Sequence, residues 1–181
     1  MMPDLPEISV QPGQIYLARS PVMLQTILGS CVGATFWSAR LGAGALCHGV
    51  LPRCPPGTYA AEGHRYVDFS IRYLAEQFDA LGACREELEV KLFGGADVLP
   101  VSAARAHIAT VGALNCHAAL DVLAREGLRV AASDLGGTRG RTLHFDTGNG
   151  EVLVHRLARL RVSEVLHADD THPARSRKDR P

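Results

Sequence analysis

From Ile15 to Leu51 the chain runs through short apolar stretches broken by glycine. This pattern predicts strands near Gln14–Leu17, Val22–Ile27, Val32–Trp37 and Ala45–Val50, with a turn over Ala39–Gly44 between the last two. Residues 52–65 hold three prolines and two glycines and read as a loop. Val67, Ile71, Leu74, Phe78 and Leu81 then recur every third or fourth residue, which makes one apolar stripe of a helix. Asp68 or Ser70 is placed to cap its start, and Gly82 to end it. Leu88, Val90 and Leu92 alternate with Glu87, Glu89 and Lys91, a strand with one buried face. A second helix is expected over roughly Leu114–Glu126, stopped by Gly127. Strands follow at Leu128–Ser133, Arg141–Phe145 and Glu151–Arg156, the last two forming a hairpin.

Strands, helix, strand, helix, strands: this order predicts a single α/β domain of the α+β type. The expected architecture is a layered sandwich, a mixed, mostly antiparallel sheet packed against two main helices. Residues 1–12 read as a loose lead-in, 13–166 as the domain, and 167–181 as a polar, disordered tail.

Composition narrows the function classes. The chain has 181 residues, long enough to bury a core, with 46% hydrophobic and 21% charged residues. Lys plus Arg and Asp plus Glu are 19 each, so the basic excess of a broad nucleic-acid surface is missing. No run approaches the roughly 18 apolar residues that span a bilayer. The start, with Asp4 and no basic region before an apolar stretch, does not read as a signal peptide, so a cytoplasmic protein is expected. The five cysteines, Cys31, Cys47, Cys54, Cys84 and Cys116, are odd in number and irregularly spaced. Reduced thiols are therefore the expectation, each a core residue, a ligand or a nucleophile.

The densest chemical signal is Leu28-Gly29-Ser30-Cys31-Val32-Gly33. A small-residue turn delivers a cysteine to the start of an apolar strand, where the thiol can be exposed while its neighbours are buried. Gly29 lets a substrate approach, and backbone N–H groups around Ser30 are placed to face a developing oxyanion. A thiol works best beside an imidazole. If the strands pair through the Ala39–Gly44 turn with Trp37 opposite Ala43, Cys31 falls opposite position 49. That makes His48 its neighbour to within one residue of register. Taken alone, a buried structural cysteine and a strand-end histidine remain alternatives.

The run Thr26-Ile27-Leu28-Gly29-Ser30-Cys31-Val32, followed by His48-Gly49-Val50-Leu51-Pro52, resembles CheD, the chemoreceptor glutamine deamidase family of bacterial and archaeal chemotaxis. Arg65-Tyr66-Val67-Asp68, Lys91-Leu92-Phe93-Gly94-Gly95-Ala96, Asp134-Leu135-Gly136-Gly137-Thr138-Arg139-Gly140-Arg141 and the hairpin Thr147-Gly148-Asn149-Gly150 extend the likeness in the same order over about residues 12–157. The resemblance implies Cys31 as nucleophile and His48 as general base in converting receptor glutamine to glutamate through a thioester. It also implies a threonine six positions before the cysteine as third active-site residue. That position holds Gln25, and Thr26 follows it. Neighbours in a strand point to opposite faces, so either Thr26 or Gln25 can orient His48, not both. Leu114 stands where the family has an arginine before Asn115.

The implied partners are the cytoplasmic region of methyl-accepting chemoreceptors and a CheC-type phosphatase, with no nucleic acid and no membrane insertion. An adaptor that mainly regulates such a phosphatase is the alternative function. No cofactor is implied. Cys47, His48, Cys54 and His64 match no compact zinc spacing, so no metal site is expected. Cys84 and Cys116 read as core or near-surface helix thiols, His107 and His117 as helix-surface or boundary residues, and His144 and His155 as cross-strand neighbours on the hairpin.

Overall fold

A computed structural model describes residues 5–98 and 109–158. The α+β sandwich expected from the sequence is present, and its strands divide between two sheets. The five-stranded sheet has the order β2 (Ile15–Ala18), β5 (Ala43–Gly49), β4 (Val32–Ser38), β6 (Glu89–Gly94), β7 (Val130–Leu135). The four-stranded sheet has the order β1 (Glu7–Ser9), β3 (Met23–Leu28), β8 (Arg141–Asp146), β9 (Val152–Arg156). Helices α2 (Val67–Ala80) and α3 (Val111–Arg125) cover one face of the larger sheet, and the smaller sheet covers the other.

Side-chain parity produces these layers. On β4 and β5, Val32, Ala34, Phe36, Ala43, Ala45 and Cys47 face the helices and pack on Ile71, Leu74, Phe78, Ala119 and Leu123. Phe36 stacks on Phe78 with ring centroids 5.9 Å apart. The alternate residues face the smaller sheet, where Leu46 packs with Leu24, Val22 and Phe145. Because both faces of β4 and β5 are covered, these strands read as continuous apolar runs.

Several expectations need correction. The lead-in is not loose throughout, because Glu7–Ser9 forms β1, parallel to β3 and in register with Met23–Gln25. The β4–β5 hairpin pairs Trp37 with Gly44, one residue away from the expected register. Helix α2 begins without a side-chain cap. Asp68 Oδ1 instead accepts from the backbone N–H groups of Cys54 and Phe69, and the Ser70 hydroxyl donates to the His64 carbonyl. Gly82 and Gly127 do end their helices, in the left-handed conformation. Loop 52–65 contains a short helix, α1 (Ala60–Gly63). Cys84 lies on no α-helix but caps the start of a 3-10 turn, Arg85–Glu87. The tail 167–181 and His107 lie outside the described residues.

Candidate active site

Residues 29–31 carry the chain from β3 in one sheet to β4 in the other, so Cys31 sits at the crossover. The observed register sets its relation to His48. Gly33 pairs with His48 on one side of β4 and with Phe93 on the other, and directly opposed residues share a face. Cys31, two residues before Gly33, shares that face and packs against Leu28, Phe93 and Leu143 between the sheets. With the β4–β5 register continued one residue before Val32, Cys31 and His48 are diagonal neighbours, an arrangement that in a regular ladder separates Cα atoms by roughly 7–8 Å. Gly33 places no side chain between them.

His48 is 2% exposed. Its Nδ1 lies 2.8 Å from Thr26 Oγ1, and the same hydroxyl lies 2.7 Å from the Val10 carbonyl. A hydroxyl has one proton, and a carbonyl can only accept. The Thr26 proton therefore goes to Val10, and Nδ1–H donates to Thr26. That leaves the Nε2 lone pair available, and Nε2 has no hydrogen-bond partner among the described residues. This is the tautomer a general base requires. Of the two candidates for orienting His48, the structure brings only Thr26 to the imidazole. Leu24, Thr26 and Leu28 point inward, whereas Gln25 lies on the other face beside His144 in the β3–β8 register.

Burial pushes the Cys31 thiol above its ordinary value, an effect that the nearby Cys31 backbone N–H partly opposes. Burial also pushes His48 below its ordinary value, an effect that the nearby Val10 backbone partly opposes. Both shifts favour the neutral forms, so the resting pair is a thiol beside a neutral imidazole. Cys47, on the helix-facing side, is pushed up to about 12 by complete burial and is unsuited to nucleophilic work.

The turn that presents Cys31 is held by three successive carbonyls. Gly29 accepts from Ala96 N–H at 2.8 Å, Ser30 from Asn115 Nδ2 at 2.8 Å, and Cys31 from Gly95 N–H at 2.8 Å. With those carbonyls turned into the protein, the N–H groups of Ser30 and Cys31 find no backbone acceptor among the described residues. Gly94 has φ +106°, and a Cβ there would lie 2.1 Å from the Cys31 carbonyl oxygen, so only glycine lets β6 pass this close. Behind it, Gly136 N–H donates to Gly94, and Asp97 N–H to Gly137. Arg141, fully buried, holds that loop through the carbonyls of Asp134 and Gly136 and the Asp134 carboxylate.

Two contributors escaped the sequence reading. Val10 lies in the segment read as a loose lead-in. Asn115 is 0% exposed on the core side of α3, and a polar residue among Gly112, Ala118, Ala119 and Val122 was the available signal. Leu114, in the position of the family arginine, is exposed. His144 and His155 are diagonal neighbours with ring centroids 5.6 Å apart. No group of three potential metal ligands occurs among the described residues.

A protein-family model described as CheD chemotactic sensory transduction matches residues 50–156. A protein of Geobacter sulfurreducens, described as a probable chemoreceptor glutamine deamidase CheD 2, is 45% identical over 157 residues, which is 87% of this chain and 94% of that one. The chain belongs to the CheD family. Further CheD relatives, described as probable chemoreceptor glutamine deamidases, come from Pseudomonas savastanoi pv. phaseolicola and Maridesulfovibrio salexigens. The first is 38% identical over 148 residues, covering 82% of this chain and 83% of its own. The second is 38% identical over 159 residues, covering 85% and 94%. The CheD model match begins after Cys31 and His48. The 157-residue alignment includes both, even if the whole unaligned remainder lay at one end of the chain. No described helix is long and apolar enough to cross a membrane.

Proposed function

We propose that this chain deamidates glutamine side chains of chemoreceptors, with Cys31 as nucleophile, His48 as general base and Thr26 as the residue that orients His48. The observation that carries the reading is the Thr26–His48 hydrogen bond, which fixes Nδ1 as donor and leaves Nε2 free on the face shared with Cys31. CheD membership supplies the substrate class.

The reaction follows from the neutral pair. His48 Nε2 takes the thiol proton as Sγ bonds to the carboxamide carbon. The oxyanion forms beside the turn, where the Cys31 and Ser30 N–H groups are available; Gly29 keeps the approach open. The imidazolium returns the proton to the leaving nitrogen, ammonia departs, and a thioester remains. Water, deprotonated by His48, attacks the thioester and releases glutamate and the thiol. No cofactor enters. The substrate region is the cytoplasmic part of a receptor, and the proposed place of action is the cytoplasm.

The test is mass spectrometry of receptor fragments incubated with the protein. Specific glutamines should show the mass increase of an amide replaced by an acid, and the change should vanish in Cys31→Ala. Unchanged masses across cognate receptors would overturn the reading.

A further inference from the structure

We propose that Asn115 is a positioning residue that fixes the Cys31 backbone N–H as an oxyanion donor. The inference builds on the proposed thiol chemistry and concerns a residue remote in sequence from Cys31, His48 and Thr26.

Asn115 is 0% exposed, and its Nδ2 donates to two carbonyls, Ser30 at 2.8 Å and Val50 at 3.0 Å. Both partners are acceptors, so the nitrogen and not the oxygen of the amide must face them. The Ser30 carbonyl belongs to the same peptide unit as the Cys31 N–H. A hydrogen bond at one end of a peptide group polarises the other, so the N–H becomes a stronger donor. The bond also fixes the plane of that peptide, and hence the direction in which the N–H points. Val50 immediately follows β5, two residues beyond His48. One side chain thus ties the turn before the thiol to the strand that carries the imidazole. The flanking clamps, Ala96 N–H on Gly29 and Gly95 N–H on Cys31, are backbone groups that hold the turn in place without Asn115. Replacing Asn115 therefore loosens one peptide rather than the whole turn. The Asn115 Oδ1 is buried and has no hydrogen-bond partner among the described residues, so an apolar replacement removes an uncompensated polar atom along with the donor.

The test compares two reactions of the same thiol. Acylation by p-nitrophenyl acetate bonds Sγ to the ester carbon, passes through an oxyanion, expels p-nitrophenolate and gives the thiol proton to His48. Alkylation by iodoacetamide displaces iodide at a saturated carbon and forms no oxyanion. Rates at Cys31 are taken by subtracting a Cys31→Ala control. In Asn115→Leu, acylation should slow about tenfold or more while alkylation stays within about twofold of wild type. Acylation within about twofold of wild type overturns the proposal, and so does a parallel fall of both rates. Asn115→Ala, which cannot clash, is read by the same ratio if the leucine variant does not fold. Neither reaction uses a receptor, so wild-type protein that leaves receptor glutamines intact defeats the deamidase reading and leaves this comparison standing.

Discussion

Thr26 has a single proton to give, and Val10 takes it. His48 is therefore held with Nδ1 as its donor nitrogen and Nε2 as its basic one, and the residue test follows from that count. Thr26→Ser keeps the hydroxyl, so its kcat/KM for deamidation should stay within several-fold of wild type. Thr26→Val removes the acceptor for Nδ1–H and leaves the imidazole free to take the wrong tautomer, so kcat/KM should fall about 100-fold. Equal rates for the two variants would show that the hydrogen bond does not orient the base. The pH profile belongs to the same residue. In the proposed mechanism neutral His48 is the active form, and burial holds its pKa below the ordinary 6.5. The acid limb of kcat/KM should therefore have its midpoint below 6.5. A midpoint above that value would mean that a charged imidazole is stabilised and that the pair rests as an ion pair.

At the scale of elements, a one-residue change of register reverses every face of a strand. Pairing Trp37 with Ala43 would have put Cys31 and His48 on opposite faces. The observed pairing with Gly44 puts them on the same one. The sequence shows the hairpin through its apolar runs and its turn, but those runs are buried on both faces, so alternation does not reveal register. For the same reason the division into two sheets was not legible: a strand covered on both sides looks the same whichever sheet it joins. Helices α2 and α3 were legible because each buries one stripe. Thr26 was ambiguous against Gln25 until β3 showed Leu24, Thr26 and Leu28 on its inner side. β1 escaped because three residues among prolines carry no periodicity. The glycine pair Gly94-Gly95 was visible as a motif, while its purpose lies in a contact with a turn more than sixty residues earlier. Gly94→Ala should strain φ and push on the Cys31 carbonyl at once, a cost of about 2 kcal/mol or more. For a domain of this size that lowers Tm by roughly 4 °C or more. Because the displaced group belongs to the proposed nucleophile, deamidation should fall in the protein that remains folded at low temperature. A variant with wild-type Tm and activity would show that β6 does not press on the turn.

At the scale of the whole molecule, the site occupies the crossover between two sheets, and the imidazole is buried there with the neutral Thr26 hydroxyl as its side-chain partner among the described residues. A sandwich that encloses a neutral histidine must resist its protonation, and this couples the fold to pH. The folded pKa of His48 lies below the unfolded value of about 6.5. Between those two values the unfolded chain binds the proton more readily than the folded one. The stability associated with neutral His48 is therefore complete above about pH 6.5 and is lost as the pH falls through the folded pKa. Urea midpoints measured at about pH 7.5 and about pH 5.5 should drop on acidification, and they should drop less in His48→Leu, which has no proton to bind at this position. The comparison isolates His48 from the other histidines, since these are common to both proteins. Identical pH dependences would mean that the sandwich opens to solvent at the crossover. In that case the depressed pKa, and the low acid limb of activity derived from it, would fail together.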